Sequence, residues 1–271
     1  MFGEIFFSTR EETMTVQLFN DDFFNVLPNI DNESIDLILC DLPYGGFSDQ
    51  KWDVHLNLDA LWKEYSRIIK PKGIVALNCA QPFTSKLIMS NIKNFRYCWY
   101  WKKNRVTNHG NARRMPMRCM EEIAVFYKEG FGTYNAQGVQ RMSHPKEKPV
   151  ESDDEKFYTG TSLCNPNYVH EFTGWPNQIL EFGCVGKTVH PTQKPVELCD
   201  YFMKTYSNPG DTVLDNCMGS GTTGVAAKNL GRNFIGIEKD KRYFEIAKER
   251  IENAHLERLE VLDNNIANFF E

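Results

Sequence analysis

Two short segments of the 271-residue chain carry residue types that can do chemistry together. The first is Asp41-Leu42-Pro43-Tyr44-Gly45-Gly46, directly after the aliphatic run 35–40 (IDLILC). Such a run reads as a buried strand, and open α/β sheets bind ligands at the carboxyl ends of their strands. The segment sets an acceptor side chain, a residue of fixed φ and an aromatic face at one such end. That combination suits a planar ring bearing an amine; a tight turn with a capping aspartate is the plainer use of the same residues. The second segment is Asp215-Asn-Cys217-Met-Gly219-Ser220-Gly221-Thr222-Thr-Gly224, which follows a strand-like run and opens a helical one. Its glycines let backbone approach a ligand at a helix N-terminus. The spacing is G-x-G-x-x-G, which ordinary glycine turns also produce. Context adds weight, because the next strand ends in Glu238, a carboxylate suited to ribose hydroxyls. A nucleoside-containing cofactor is implied.

These segments need elements to hold them. Residues 14–19 (TVQLFN) and 35–40 are short runs closed by polar or turn residues, as buried strands are. Leu58, Leu61, Trp62, Tyr65, Ile68 and Ile69 fall at helical spacing, and Pro71 with Gly73 ends that helix. Further strands are predicted at 74–79, 95–101, 121–127, 212–216 and 233–238, and helices at 83–91, 195–206, 221–230 and 241–253. The alternation predicts an α/β fold around a seven-stranded, mostly parallel sheet. From Lys128 to Lys187 the pattern disappears, and an acidic cluster stands at Glu151 to Glu155. An irregular stretch of that length predicts a separate recognition region.

Composition excludes disorder and fibrous structure: 41% of residues are apolar and 13% aromatic, with 31 Lys plus Arg against 36 Asp plus Glu. Eight cysteines (Cys40, Cys79, Cys98, Cys119, Cys164, Cys184, Cys199, Cys217) form no CxxC pair, so no metal is expected and the thiols fit a reducing compartment. No run approaches the roughly 18 apolar residues of a membrane span. A soluble cytoplasmic protein is expected. The net charge of −5 leaves no global footprint for nucleic acid. A local one exists, for Lys102, Lys103, Arg105, Arg113, Arg114 and Arg118 lie in a stretch without Asp or Glu. By itself that stretch reads equally well as a solvated loop.

Asp41-Leu42-Pro43-Tyr44 resembles the D-P-P-Y catalytic motif of amino-methyltransferases acting on DNA, and Asp215 to Gly221 resembles their cofactor motif. Catalytic motif first, then a variable region, then His190-Pro-Thr192-Gln-Lys194-Pro195 and the glycine motif, resembles the β class of DNA adenine-N6 and cytosine-N4 methyltransferases. Lys51-Trp52-Asp53 and the helix and strand after it resemble solitary or phage-borne adenine enzymes. The likeness covers most of the chain outside 129–186.

The resemblance implies a permuted, Rossmann-like class I methyltransferase fold: a catalytic half at 1–128, a target-recognition insert at 129–186 and a cofactor-binding half at 187–271. It implies S-adenosylmethionine as cofactor, double-stranded DNA as partner, and the cytoplasm of a bacterial or phage-infected cell. On this resemblance Asp41 and the Leu42 carbonyl accept the two hydrogens of the target amine, Pro43 holds the turn, and Tyr44 stacks on a base extruded from the duplex. Asp215, Gly219 and Gly221 surround the cofactor's methionine part, Cys217 contacts it, Ser220 and Thr222 are further cofactor-binding residues, and Glu238 takes the ribose. Asp22 lies near its adenine, while Thr192 and Lys194 close the site. Plainer roles are a helix cap for Asp22 and a solvated lysine for Lys194. Leu42 replaces the family's first proline but keeps the carbonyl; Cys217 stands where Phe is commoner, which weakens one apolar contact.

In this setting the basic stretch 102–118, after an edge strand, becomes a phosphate-contacting element with side chains for base edges. The insert supplies the rest of sequence recognition, or serves as an arm for a homodimer. Cytosine-N4 methylation is the neighbouring alternative; cytosine enzymes more often begin the tetrapeptide with Ser, so Asp41 favours adenine. A dinucleotide oxidoreductase leaves Asp41 to Tyr44 and His190 to Pro195 unexplained. A non-enzymatic DNA-binding protein on this fold predicts a damaged glycine loop or catalytic aspartate, and both are intact. Protein and RNA amino-methyltransferases usually place the cofactor motif first.

Overall fold

The computed structural model describes residues 5–7, 14–45, 54–147, 169–190 and 192–254. Lys51-Trp52-Asp53, the cluster Glu151 to Glu155 and Cys164 lie outside them. In chain order the strands are β1 (Ile5–Phe7), β2 (Val16–Phe19), β3 (Ile35–Asp41), β4 (Ile69–Cys79), β5 (Phe95–Thr107), β6 (Arg118–Tyr127), β7 (Gln140–Glu147), β8 (Val169–Thr173), β9 (Ile179–Phe182), β10 (Thr212–Asp215) and β11 (Asn233–Ile237). The helices are α1 (Phe23–Val26), α2 (Leu58–Ile68), α3 (Phe83–Ser90), α4 (Val196–Tyr206), α5 (Thr222–Asn229) and α6 (Lys241–Glu252).

The main sheet runs β1-β2-β11-β10-β3-β4-β6-β5-β9. Its inner pairs from β2 to β4 are parallel, while β6 runs antiparallel to both β4 and β5. The α/β class and the mostly parallel sheet are therefore as expected, but the sheet is wider than seven strands. Short strands extend it at both edges: β1 pairs antiparallel with β2, and β9 pairs parallel with β5. β5 is consequently no edge strand.

The apolar runs are continuous because helices cover both faces. Leu37 and Leu39 of β3 join one core with Leu198, Phe202 and Met203 of α4, Ala226 of α5 and Phe244 of α6. Ile38 and Cys40 join the other, with Leu61, Trp62 and Tyr65 of α2 and Leu87 of α3. α2 buries Leu58, Leu61, Trp62, Tyr65 and Ile68, and the Asn57 side chain caps it by accepting the Ala60 amide. Burying one such apolar face contributes about 2 kcal/mol per large side chain, so the stripe rather than propensity holds the helix.

The chain order reverses direction at the middle of the sheet. From β3 it passes through α2 to β4 on one side, and from β10 through α5 to β11 on the other, while β3 and β10 pair with each other. The carboxyl ends of β3 and β10 thus flank a topological switch point, where such sheets bind ligands.

Two regions differ from expectation. The basic stretch 102–118 is largely a hairpin, not a loop: Lys102, Lys103 and Arg105 extend β5, Arg118 begins β6, and Arg113 and Arg114 lie in the connection. Lys102-Lys103-Asn104-Arg105 puts polar side chains on both faces of the strand, so periodicity could not show it. The second compact unit spans Ala136–Asn177, inside the 129–186 stretch, and its described strands β7 and β8 pair antiparallel. Residues 129–135 and 178–186 belong to the main unit, where the Asn135 amide donates to Thr205 O at 2.7 Å and β9 joins the sheet. Among the described residues no helix is long and apolar enough to cross a membrane.

Candidate active site

Asp41 ends β3, and strand geometry aims it to the same face as Leu37 and Leu39. One carboxylate oxygen accepts from the Tyr44 hydroxyl at 3.0 Å; the other accepts from Lys194 Nζ at 2.6 Å. Tyr44 stacks on Phe83 of α3, ring centroids 5.1 Å apart and planes 20° from parallel. Burial first, and then the charge of Asp41, hold the Tyr44 hydroxyl well above its ordinary pKa, so it stays a donor. Leu42 is buried in the α2–α3 core, which pins the backbone between the two polar residues.

Lys194 is where the His190 to Pro195 segment meets the catalytic strand. Its side chain is only 11% exposed, and its ammonium also lies 3.4 Å from Glu121 Oε2. Burial works against that charge, but Asp41 and Glu121 outweigh it and raise the lysine above its ordinary pKa. Glu121, near the start of β6, receives Lys103 Nζ on its other oxygen at 2.9 Å. Burial opposes its charge as well, yet the two lysines hold it below the usual carboxylate range. Asn78, paired in register with Asp41 on β4, donates weakly to Cys40 O at 3.4 Å.

The glycine segment lies beside this cluster. Asp215 ends β10, is 3% exposed, and accepts the Cys217 amide at 3.1 Å. Burial pushes its carboxyl up to about 6 against the pull of its hydrogen bonds. Gly219 (φ +51°) donates its amide to Glu238 Oε2 at 2.9 Å, and the Asp240 amide takes Oε1 at 2.8 Å. Glu238 is likewise pushed up by burial, to about 7. His190 packs edge-on against Tyr243, centroids 4.2 Å apart, and its ring lies 3.7 Å from where a Cβ on Gly219 would stand. The segment from His190 to Lys194 therefore bridges the glycine loop and Asp41.

Other expected residues stand elsewhere in this frame. Thr192 bonds through its hydroxyl and amide to His190 Nδ1, at 3.1 and 3.2 Å. Ser220 and Thr222 are buried and turn to Arg250 of α6, which donates to Ser220 Oγ at 2.9 Å and Thr222 Oγ1 at 3.4 Å. Asp22 caps α1 through the Phe24 amide and pairs with Lys239 at 2.9 Å. Burial opposes its charge, but those partners leave its pKa lowered. Cys217, half-buried, lies against the α2–α3 core. In the hairpin, Lys103 is paired with Glu121 and Lys102 with Glu181. Arg105, Arg113, Arg114 and Arg118 are exposed and make no salt bridge among the described residues.

Glu121 is the residue that sequence reasoning passed over. Its signal was present: two adjacent carboxylates open the apolar strand EEIAVFY, and alternation sends them to opposite faces, where Glu122 accepts from Thr84. No group of three or more His, Cys, Asp or Glu able to hold a metal occurs among the described residues.

The fold and this pair of segments define a class I methyltransferase architecture. The profile of the N6/N4 DNA methylase family matches residues 35–249, and the chain belongs to that family. Among curated relatives, the type II methyltransferase M1.MboII of Moraxella bovis is 30% identical over 81% of this chain and 90% of its own. M.HpaI of Haemophilus parainfluenzae is 28% identical over 89% and 75%. The solved M1.HpyAVI–SAM complex superposes with a TM-score of 0.60 at 28% identity, over 87% of this chain and 98% of that one. The cytosine-N4-specific PvuII DNA methyltransferase has the same fold, with a TM-score of 0.63 at 16% identity, over 93% and 88%. The chain is an amino-methyltransferase of the N6/N4 family.

Proposed function

We propose that this protein methylates the exocyclic N6 amine of adenine in double-stranded DNA, using S-adenosylmethionine. The observation that carries the reading is the placement of Asp41 and the Asp215 to Gly221 loop at the carboxyl ends of adjacent parallel strands. An aspartate rather than a serine at the head of the tetrapeptide supports adenine over cytosine.

The residues fit the cofactor. Asp215 is buried and Glu238 half-buried, both carboxyls have raised pKa values, and no Lys or Arg forms an ion pair with either among the described residues. A cationic, hydroxyl-bearing ligand answers both features. Asp215, Gly219 and Gly221 would hold the methionine part, Cys217 would contact it, Glu238 would accept from the ribose, and Asp22 would lie toward the adenine. When bound, S-adenosylmethionine supplies a methyl group activated by its sulfonium. Ser220 and Thr222 support the loop through Arg250, and Thr192 orients His190 beside it.

The exocyclic amine of adenine is a poor nucleophile because its lone pair is delocalised into the ring. Asp41 and the Leu42 carbonyl would accept its two hydrogens and favour a tetrahedral nitrogen. Tyr44, braced by Phe83, provides the surface for the extruded base, and Pro43 keeps that backbone turn fixed. The contribution is alignment and charge placement, with no covalent intermediate on the protein. Arg105, Arg113, Arg114 and Arg118 on the hairpin would contact phosphates, with the 136–177 unit adding sequence recognition.

Incubating the purified chain with methyl-labelled S-adenosylmethionine and unmethylated plasmid, followed by nucleoside chromatography, tests this. Label in N6-methyl-2′-deoxyadenosine, absent with Asp41→Ala, is the expected result. Label in N4-methyl-2′-deoxycytidine would replace adenine by cytosine, and cofactor binding without DNA labelling would sink the reading.

A further inference from the structure

Between the catalytic carboxylate and the base of the basic hairpin lies Glu121. Four side chains alternate in charge along one line: Asp41, Lys194, Glu121 and Lys103, at separations of 2.6, 3.4 and 2.9 Å. They come from β3, the segment before α4, β6 and β5, so four separate parts of the chain meet here. The two lysine side chains are 11% and 9% exposed, which makes each pairing far less screened than a surface ion pair. A buried ammonium on Asp41 alone would draw down the negative charge that Asp41 needs to accept the amine hydrogens. Glu121 Oε2, buried and without a hydrogen-bond partner of its own, faces that ammonium at ion-pair distance and shares its charge, while Lys103 holds Glu121 from its far oxygen.

We infer that Glu121 is a positioning residue for Asp41, acting through Lys194, with Lys103 as its brace. The inference rests on the proposed role of Asp41. Lys194 thereby sits in one place, shared between two carboxylates, and Asp41 keeps one orientation and an undiminished acceptor oxygen. Such preorganisation acts on the chemical step rather than on ligand affinity.

The test uses the full chain with Glu121→Gln, Lys194→Met and the double variant, all near-isosteric, assayed on unmethylated plasmid. Glu121→Gln lowers kcat about 10- to 100-fold with the cofactor KM within about twofold. The double variant is no slower than Lys194→Met alone, because one residue acts through the other. Losses that multiply, or a raised KM at unchanged kcat, would overturn the inference. Competitive acetylation of Lys194, read by mass spectrometry against Lys102 in the same sample, requires no DNA. The groups facing Lys194 are Asp41 and Glu121, with His190 and Cys199 nearby. Neutralising Glu121 lowers the hold on the Lys194 proton, so its acetylation at pH 9 rises about tenfold for each pKa unit lost. Unchanged acetylation overturns the coupling. Wild-type protein that labels no DNA overturns the function proposed for Asp41, while the acetylation result still decides the link between Glu121 and Lys194. If Glu121→Gln fails to fold, Lys103→Gln must show the same kcat-selective loss at smaller size, and a normal rate there overturns the brace.

Discussion

Asp41 is held by two donors and must still accept from a substrate, which a carboxylate can do because each oxygen carries two lone pairs. Asp41→Asn keeps the shape but replaces one acceptor oxygen by a donor. It is expected to lower kcat by about 100-fold or more while cofactor Kd, read by calorimetry, stays within threefold. Equal loss in both would assign Asp41 to cofactor binding instead. The raised carboxyls of Asp215 and Glu238 set a pH dependence with a definite sign. Their ordinary values are 3.8 and 4.5, and burial lifts them to about 6 and about 7. The stability they contribute is whole below about pH 4 and is lost as pH rises through 6 and 7, because the folded state then holds two costly charges. The Tm of the cofactor-free protein should therefore fall across that window, and Asp215→Asn should flatten the fall. A slope unaffected by that substitution would show that another group governs it.

At the level of elements, the glycine loop separates support from binding. Gly221 stands at φ +77° at the start of α5, and a Cβ there would lie 2.9 Å from Ala247 Cα of α6. Gly221→Ala should destabilise the fold by about 2 kcal/mol or more, measured by urea unfolding, since backbone strain and a clash with packed backbone add. Gly219 has φ +51°, and a Cβ there would meet nothing closer than the His190 ring at 3.7 Å. Gly219→Ala should cost only about 1 kcal/mol of stability. It should weaken cofactor binding by tenfold or more, and unchanged affinity would place the cofactor away from this glycine. Local features made these glycines legible in the sequence: a strand, a turn and a helix start within ten residues. The hairpin 102–118 was not legible, because polar residues fill both faces of the strand from Lys102 to Arg105 and leave no apolar alternation.

For the molecule as a whole, the exposed arginines of the hairpin should supply affinity without sequence preference. Arg113→Ala with Arg114→Ala is expected to weaken DNA binding on all sequences alike and to reduce the slope of log K against log salt by about 2. A changed methylation site with unchanged slope would make them base readers. Most of the inner sheet could be read from the chain because strands buried on both faces need continuous apolar runs, and IDLILC or TVLDN can satisfy little else. The chemistry within each motif was legible for a similar reason: Asp41 to Tyr44 and Asp215 to Gly221 are contiguous, so their geometry is local. What only the tertiary structure decided is which distant groups meet. β3 lies against β10 rather than beside its sequence neighbours alone, Lys194 reaches Asp41 instead of solvent, and Lys103 is drawn from the basic surface onto Glu121. Charge pairs depend on distance in space, and in a sheet that distance is set by strand order and register, which no single segment of the sequence contains.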